Sequence, residues 1–133
     1  MAYEATLIIQ TGLPISMTCA DGVGIEKGTV LALSDPFTAA AHASANQMGA
    51  GICNVEKIAS DGMTKVSVFR DGIYKVTASG AITVGSPCAL STAANKIKQA
   101  DSASCSGSQA IGLALETAAD GESFLMELRP GAY

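Results

Sequence analysis

Short apolar runs, broken by glycines and small polar residues, set the rhythm of this chain. Thr6-Leu7-Ile8-Ile9-Gln10 is the first of them, and Ile15-Ser16-Met17-Thr18-Cys19 then alternates apolar and polar with the period of a strand. Gly12 and Pro14 separate the two, so this start reads either as a hairpin-like entry to the domain or as an extended arm that rests on something else. From Gly22 onward the pattern becomes regular. Ile25-Glu26-Lys27-Gly28-Thr29-Val30-Leu31-Ala32-Leu33-Ser34 places a glycine turn before a short apolar strand, and a small-residue loop follows. Residues 51–80 then hold strand-like runs punctuated by Asp61-Gly62 and Asp71-Gly72, dipeptides that favour hairpin turns because glycine supplies the positive φ.

The same order recurs. Ile82-Thr83-Val84-Gly85-Ser86-Pro87-Cys88-Ala89-Leu90-Ser91 repeats the earlier phrase, with Ile25 answering Ile82, Gly28 answering Gly85, and Ala32-Leu33-Ser34 answering Ala89-Leu90-Ser91. Farther on Gly51 matches Gly112, Asp61-Gly62 matches Asp120-Gly121, and Arg70 and Gly72 match Arg129 and Gly131. These pairs predict two similar β units over about 25–72 and 82–131 within one β domain, 22–133, preceded by an N-terminal arm, 1–21. One mismatch stands out. Aligned on the Arg and Gly pairs, Val66 and Val68 fall on one parity while Phe124, Met126 and Leu128 fall on the other. The one segment with helical character is Phe37–Ser44, where alanines follow Asp35-Pro36, and a small-residue loop fits it equally. The rest reads as all-β.

Composition narrows the function. The 133 residues suit one domain, and 48% hydrophobic against 15% charged residues is a folding composition. A net charge of −4 with scattered lysines and arginines argues against direct nucleic-acid binding. No apolar run reaches the roughly 18 residues of a membrane-spanning helix, and the start lacks the basic and apolar regions of a signal peptide, which points away from membranes and Sec export. Cys19, Cys53, Cys88 and Cys105 are widely spaced, with no metal-binding pattern, and are expected as free thiols, Cys53 and Cys88 within strands.

Chemistry has little to stand on. His42 is the single histidine, and pairing it with Cys19 or Cys105 would be the minimum for a thiol enzyme; a plain loop histidine is the simpler reading. Lys27 precedes rather than follows Gly28, so a phosphate-binding loop fails. Asp61, Asp71 and Asp120 are absorbed by turns, while Glu4, Glu26, Glu56 and Glu116 stay unassigned. Neither a cofactor nor a metal site is expected.

The run Gly51-Ile52-Cys53-Asn54-Val55-Glu56, a short turn, and Thr64 through Val76, together with the I-x-x-G-x-x-x-A-L-S layout, resembles the small capsid decoration (cement) proteins of tailed phages, the lambda head decoration protein D among them. The similarity extends over roughly Gly22 to Gly131. It implies a β-clip or β-tulip-like body, a homotrimer, the major capsid protein as partner, and a place on the outer surface of an icosahedral head after synthesis in the host cytoplasm. An arm reaching the shell is implied as well. Tyr3, Thr6, Leu7, Ile8, Ile9 and Gln10 are its candidate contact residues, unless Thr6–Gln10 is simply the first core strand. Another virion or surface structural protein is the nearest alternative. Lipoyl and biotinyl carrier domains also consist of two similar β halves, but neither Lys65 nor Lys96 has the flanking residues of a modified lysine.

Overall fold

The computed structural model describes residues 3–100 and 109–131. Eleven strands make up the described chain: β1 (Thr6–Ile9), β2 (Ile15–Thr18), β3 (Val30–Ser34), β4 (Thr38–Ala41), β5 (Gly49–Cys53), β6 (Lys65–Phe69), β7 (Gly72–Ala78), β8 (Pro87–Leu90), β9 (Lys96–Gln99), β10 (Ala110–Ala114) and β11 (Ser123–Leu128). The expected all-β class with two similar units is what forms. The body expected from the resemblance takes the shape of two closed five-stranded barrels. One runs β2-β4-β3-β5-β6; the other, β7-β9-β8-β10-β11, closes through a parallel β7–β9 pairing.

The two barrels match strand for strand and residue for residue. Thr18 faces Lys65 and Met17 faces Val66 in the first; Thr77 faces Ser123 and Val76 faces Phe124 in the second. Leu31 pairs with Gly51 and Cys88 with Gly112, each followed by a one-residue irregularity. Val66 and Val68 are thus equivalent to Phe124 and Met126, and all four side chains are buried. The parity mismatch disappears because the Arg and Gly pairs are one residue out of structural register.

Each unit also begins one strand earlier than the paired phrases indicate. Of the segment 1–21 expected as an arm, Ile15–Thr18 is the first strand of the first barrel, with Met17 buried inside it. Only β1 lies outside both barrels. It forms no hairpin with β2 but crosses to β7, with Thr6 opposite Lys75, Leu7 opposite Tyr74 and Ile9 opposite Ile73. Pro14 gives a reason. The Thr18 N–H donates to the Phe37 carbonyl, so residues 16 and 14 face the same edge of β2, and Pro14 has no N–H to offer a strand there.

Other differences from the sequence reading have physical causes. Asp71-Gly72 makes no hairpin; it is the crossing between barrels, where Phe69 and Tyr74 meet with ring centroids 6.2 Å apart. The alanine-rich segment is strand β4, paired over its whole length with β3 and placing Ala39 in the core, so ladder formation overrides alanine's helical preference. Gly51 and Gly112 are fixed by space. A Cβ on either would strike a backbone carbonyl of the neighbouring strand, Phe69 or Glu127.

The barrels share one buried joint. Val30, Ala32, Ile52 and Phe69 point out of the first barrel and join the core cluster of the second. Gly49 leaves room for Ile111 there. His42, buried, accepts the Asn95 N–H at Nε2 (2.8 Å), which leaves Nδ1 to donate to the Ser91 carbonyl (3.0 Å). Asn95 in turn accepts the Val30 N–H (3.0 Å), and Arg70, which also holds the Ala50 carbonyl of its own barrel, donates across to the Pro130 carbonyl (3.4 Å). One end of the second barrel is therefore seated on the flank of the first.

Candidate functional site: the N-terminal strap

Residues 3–10 run across the joint between the barrels. The Ala5 N–H donates to the Gly28 carbonyl at 2.8 Å, and Gly28, at φ 87°, is covered by Glu4 and Ala5 so closely that a Cβ would collide with them. Gly28 lies in an i→i+3 turn from Glu26 to Thr29, which the second unit repeats at Thr83–Ser86 around Gly85. Tyr3 reaches the second barrel, its ring 4.5 Å from the Lys96 ammonium, a cation–π distance. Ala5 is buried at the joint. Beyond it every β1 side chain is exposed, with Leu7, Ile8 and Ile9 between 38% and 51% accessible. Gln10 turns back and donates to the Gly12 carbonyl at 3.0 Å.

β1 is therefore held by main-chain bonds along the edge of β7 while its side chains stay exposed. Beneath it lies a cleft of about 610 Å³ whose walls include Leu7, Gly28, Ile52, Cys53, Phe69 and Tyr74. Such an arrangement can offer an edge and an apolar face to another protein. All six arm residues are exposed along this path.

The catalytic alternative does not assemble. Both ring nitrogens of His42 are engaged by backbone, and burial lowers its pKa against the raising effect of the Ser91 carbonyl. Cys19, Cys53 and Cys88 are free and buried; burial pushes the Cys19 thiol up, Cys53 to about 11 and Cys88 to about 12, the opposite of an activated thiolate. Cys105 lies outside the described residues. No three His, Cys, Asp or Glu side chains gather into a metal site among the described residues. For the carrier reading, Lys65 and Lys96 open strands β6 and β9 rather than standing at a hairpin tip.

Sequence reasoning missed Lys57. Its side chain is 3% exposed and its ammonium meets the Asp21 carbonyl (2.8 Å), the Ile58 carbonyl (3.1 Å) and Asp61 (3.2 Å), tying the loops at one end of the first barrel. The Met63 N–H and then Lys57 hold the Asp61 carboxyl below its usual range. The backbone bridge Ile25–Lys57 recurs as Ile82–Ala118, with alanine replacing the lysine. Only that exchange of Lys for Ala between matched positions could have drawn attention to it.

Comparison with known proteins agrees with this structural picture. No curated protein matches the sequence significantly. Among solved structures, the head fiber gp8.5 N base of bacteriophage phi29 is similar in fold, with a TM-score of 0.57 and 19% identity over 87% of this chain and 94% of that one. The family model for phage cement proteins matches residues 9–129. The chain belongs to the phage cement proteins and is a structural, capsid-associated component of the virion.

Proposed function

We propose that this cement protein binds the outer surface of an icosahedral head as a homotrimer, with Tyr3, Thr6, Leu7, Ile8, Ile9 and Gln10 contacting the major capsid protein. It acts by contact and not by catalysis, and is made in the host cytoplasm before it joins the shell. The observation that carries the reading is the position of β1. It lies outside both closed barrels, has no counterpart in the other unit among the described residues, and leaves Leu7, Ile8 and Ile9 exposed. The arm of this reading is residues 1–14, followed by the two barrels as one body.

A capsid strand laid on the free edge of β1 would gain main-chain bonds, and burying each of the three apolar side chains contributes roughly 1.5–3 kcal/mol before ordering costs. Three copies of a modest contact, linked in one assembly, bind far more tightly than one. Adding purified protein to heads that lack it tests the reading. Density for both barrels on the outer surface, with residues 3–10 nearest the shell, is expected. Density only on the inside, or a shell contact made elsewhere with residues 3–10 facing solvent, would contradict it.

A further inference from the structure

The barrel repeat exposes an unfilled position. In the second barrel, the end formed by the start of β7, the end of β8 and the start of β9 is seated on the flank of the first, and Tyr74, Leu90 and Asn95 are buried there. The register makes Ile15, Leu33 and Phe37 their equivalents in the first barrel. Phe37 and Asn95 even share the rare positive φ, 49° and 62°. At this matching end nothing is seated among the described residues. Leu13 is 84% exposed and Phe37 54%, Met48 and Ile15 are exposed beside them, and Leu33 is only partly covered. Asp35 and Asp71 lie exposed at the rim.

We propose that this apolar crown receives the flank of the second barrel of another copy of this chain, so that the contact joining barrels within one chain is repeated between chains. The flank in question is fixed by the same equivalence. Val30, Ala32, Ile52 and Phe69, which make the intrachain contact, correspond to Pro87, Ala89, Leu113 and Glu127. Pro87 is exposed, Leu113 and Glu127 are half-buried, and Ala89 is already buried within the chain, so Pro87 and Leu113 carry the apolar part of this flank. Lys98, opposite Ala89 in the ladder, supplies positive charge to face the rim carboxylates, while Arg129 is held by Glu127 on the same flank at 3.0 Å. Crown and flank are different surfaces, so the contact is head-to-tail, and it gives a ring of alternating barrels when the rotation between copies closes. The inference deepens the assembly part of the proposed function and rests on that reading only for the number of copies.

Sedimentation over a range of concentrations tests it on the full chain. Wild type is expected to associate, and Phe37→Asp or Leu113→Asp to weaken association roughly tenfold or more with unchanged circular dichroism, whereas Ile8→Asp on β1 leaves it intact. Should a variant fold poorly, mixed Phe37→Cys and Leu113→Cys chains in a Cys105→Ser background are to form a disulfide-linked dimer that neither forms alone. Association of Phe37→Asp as tight as wild type, or the absence of both association and the mixed dimer, overturns the proposal. Head binding is scored separately: wild type that associates through the crown yet leaves heads bare supports this contact and defeats the decoration reading.

Discussion

The two barrels share strand order, register, glycine turns and a bulge beside Gly51 or Gly112, yet their interiors and ends differ. Where the first barrel places Ala39, Ala50, Val66 and Val68 inside, the second has Ile97, Ile111, Phe124 and Met126 at the equivalent positions. Part of the difference is offset by Leu31 and Met17 against Cys88 and Val76. The second barrel also carries β1 beside β7 and has one end sealed by its sibling; among the described residues no strand pairs beside Pro14 in the first, and its matching apolar end stays exposed. Backbone wiring is thus kept while side chains decide which barrel supports the joint and which keeps surface for partners.

The largest effect that separates them is in the core. Phe124→Ala is expected to cost about 3–5 kcal/mol and Val66→Ala, at the matched position, about 2 kcal/mol, read by denaturant unfolding. Equal losses would mean that the barrels are not packed as unequally as their side chains indicate.

Next comes the joint. His42→Ala takes the acceptor from the Asn95 N–H and the donor from the Ser91 carbonyl, at about 1–3 kcal/mol in all. Protonation has a related effect. Because burial lowers the folded pKa, the unfolded chain takes up a proton between about pH 6.5 and that lower value while the folded chain does not, so stability falls on acidification through this window. The slope is at most about 1.4 kcal/mol per pH unit and is absent in His42→Gln. A wild-type melting temperature that rises from about pH 6.5 to about pH 5.5 would give the opposite sign.

The smallest contrast is the sharpest for β1. Gly28 and Gly85 occupy the same turn with φ near +85°, but only Gly28 is covered, so Gly85→Ala is expected to cost about 1–2 kcal/mol and Gly28→Ala more. In a chain lacking residues 2–10 the two costs become equal. A difference that survives the deletion would place its cause outside the strap.

Much of this was legible in the residues. The paired phrases locate β3 and β8, their glycines mark matched turns, and Cys53 and Cys88 fall in buried strands as expected. What escaped depends on partners distant in sequence. β2 reads as part of an arm because its pairing strand β6 begins only at Lys65, and the strand character of Thr38–Ala41 comes from the ladder with β3 rather than from its own composition. His42 looks idle among alanines, since its partners Ser91 and Asn95 belong to the other unit. The candidate arm residues were readable as a β-prone stretch with no counterpart in the repeat. Their place across the joint was not, because a hairpin with β2 and a crossing to β7 ask the same of Thr6–Ile9.

The most direct measurement removes residues 2–10 and follows folding and head binding together. Both barrels close without β1, so the shortened protein is expected to keep its β circular dichroism and cooperative melting, with a melting temperature only about a few degrees lower, and to leave heads undecorated. A folded deletion variant that decorates heads as fully as wild type, or a deletion that abolishes folding, would contradict the account of β1 as a shell-binding strap outside two self-sufficient barrels.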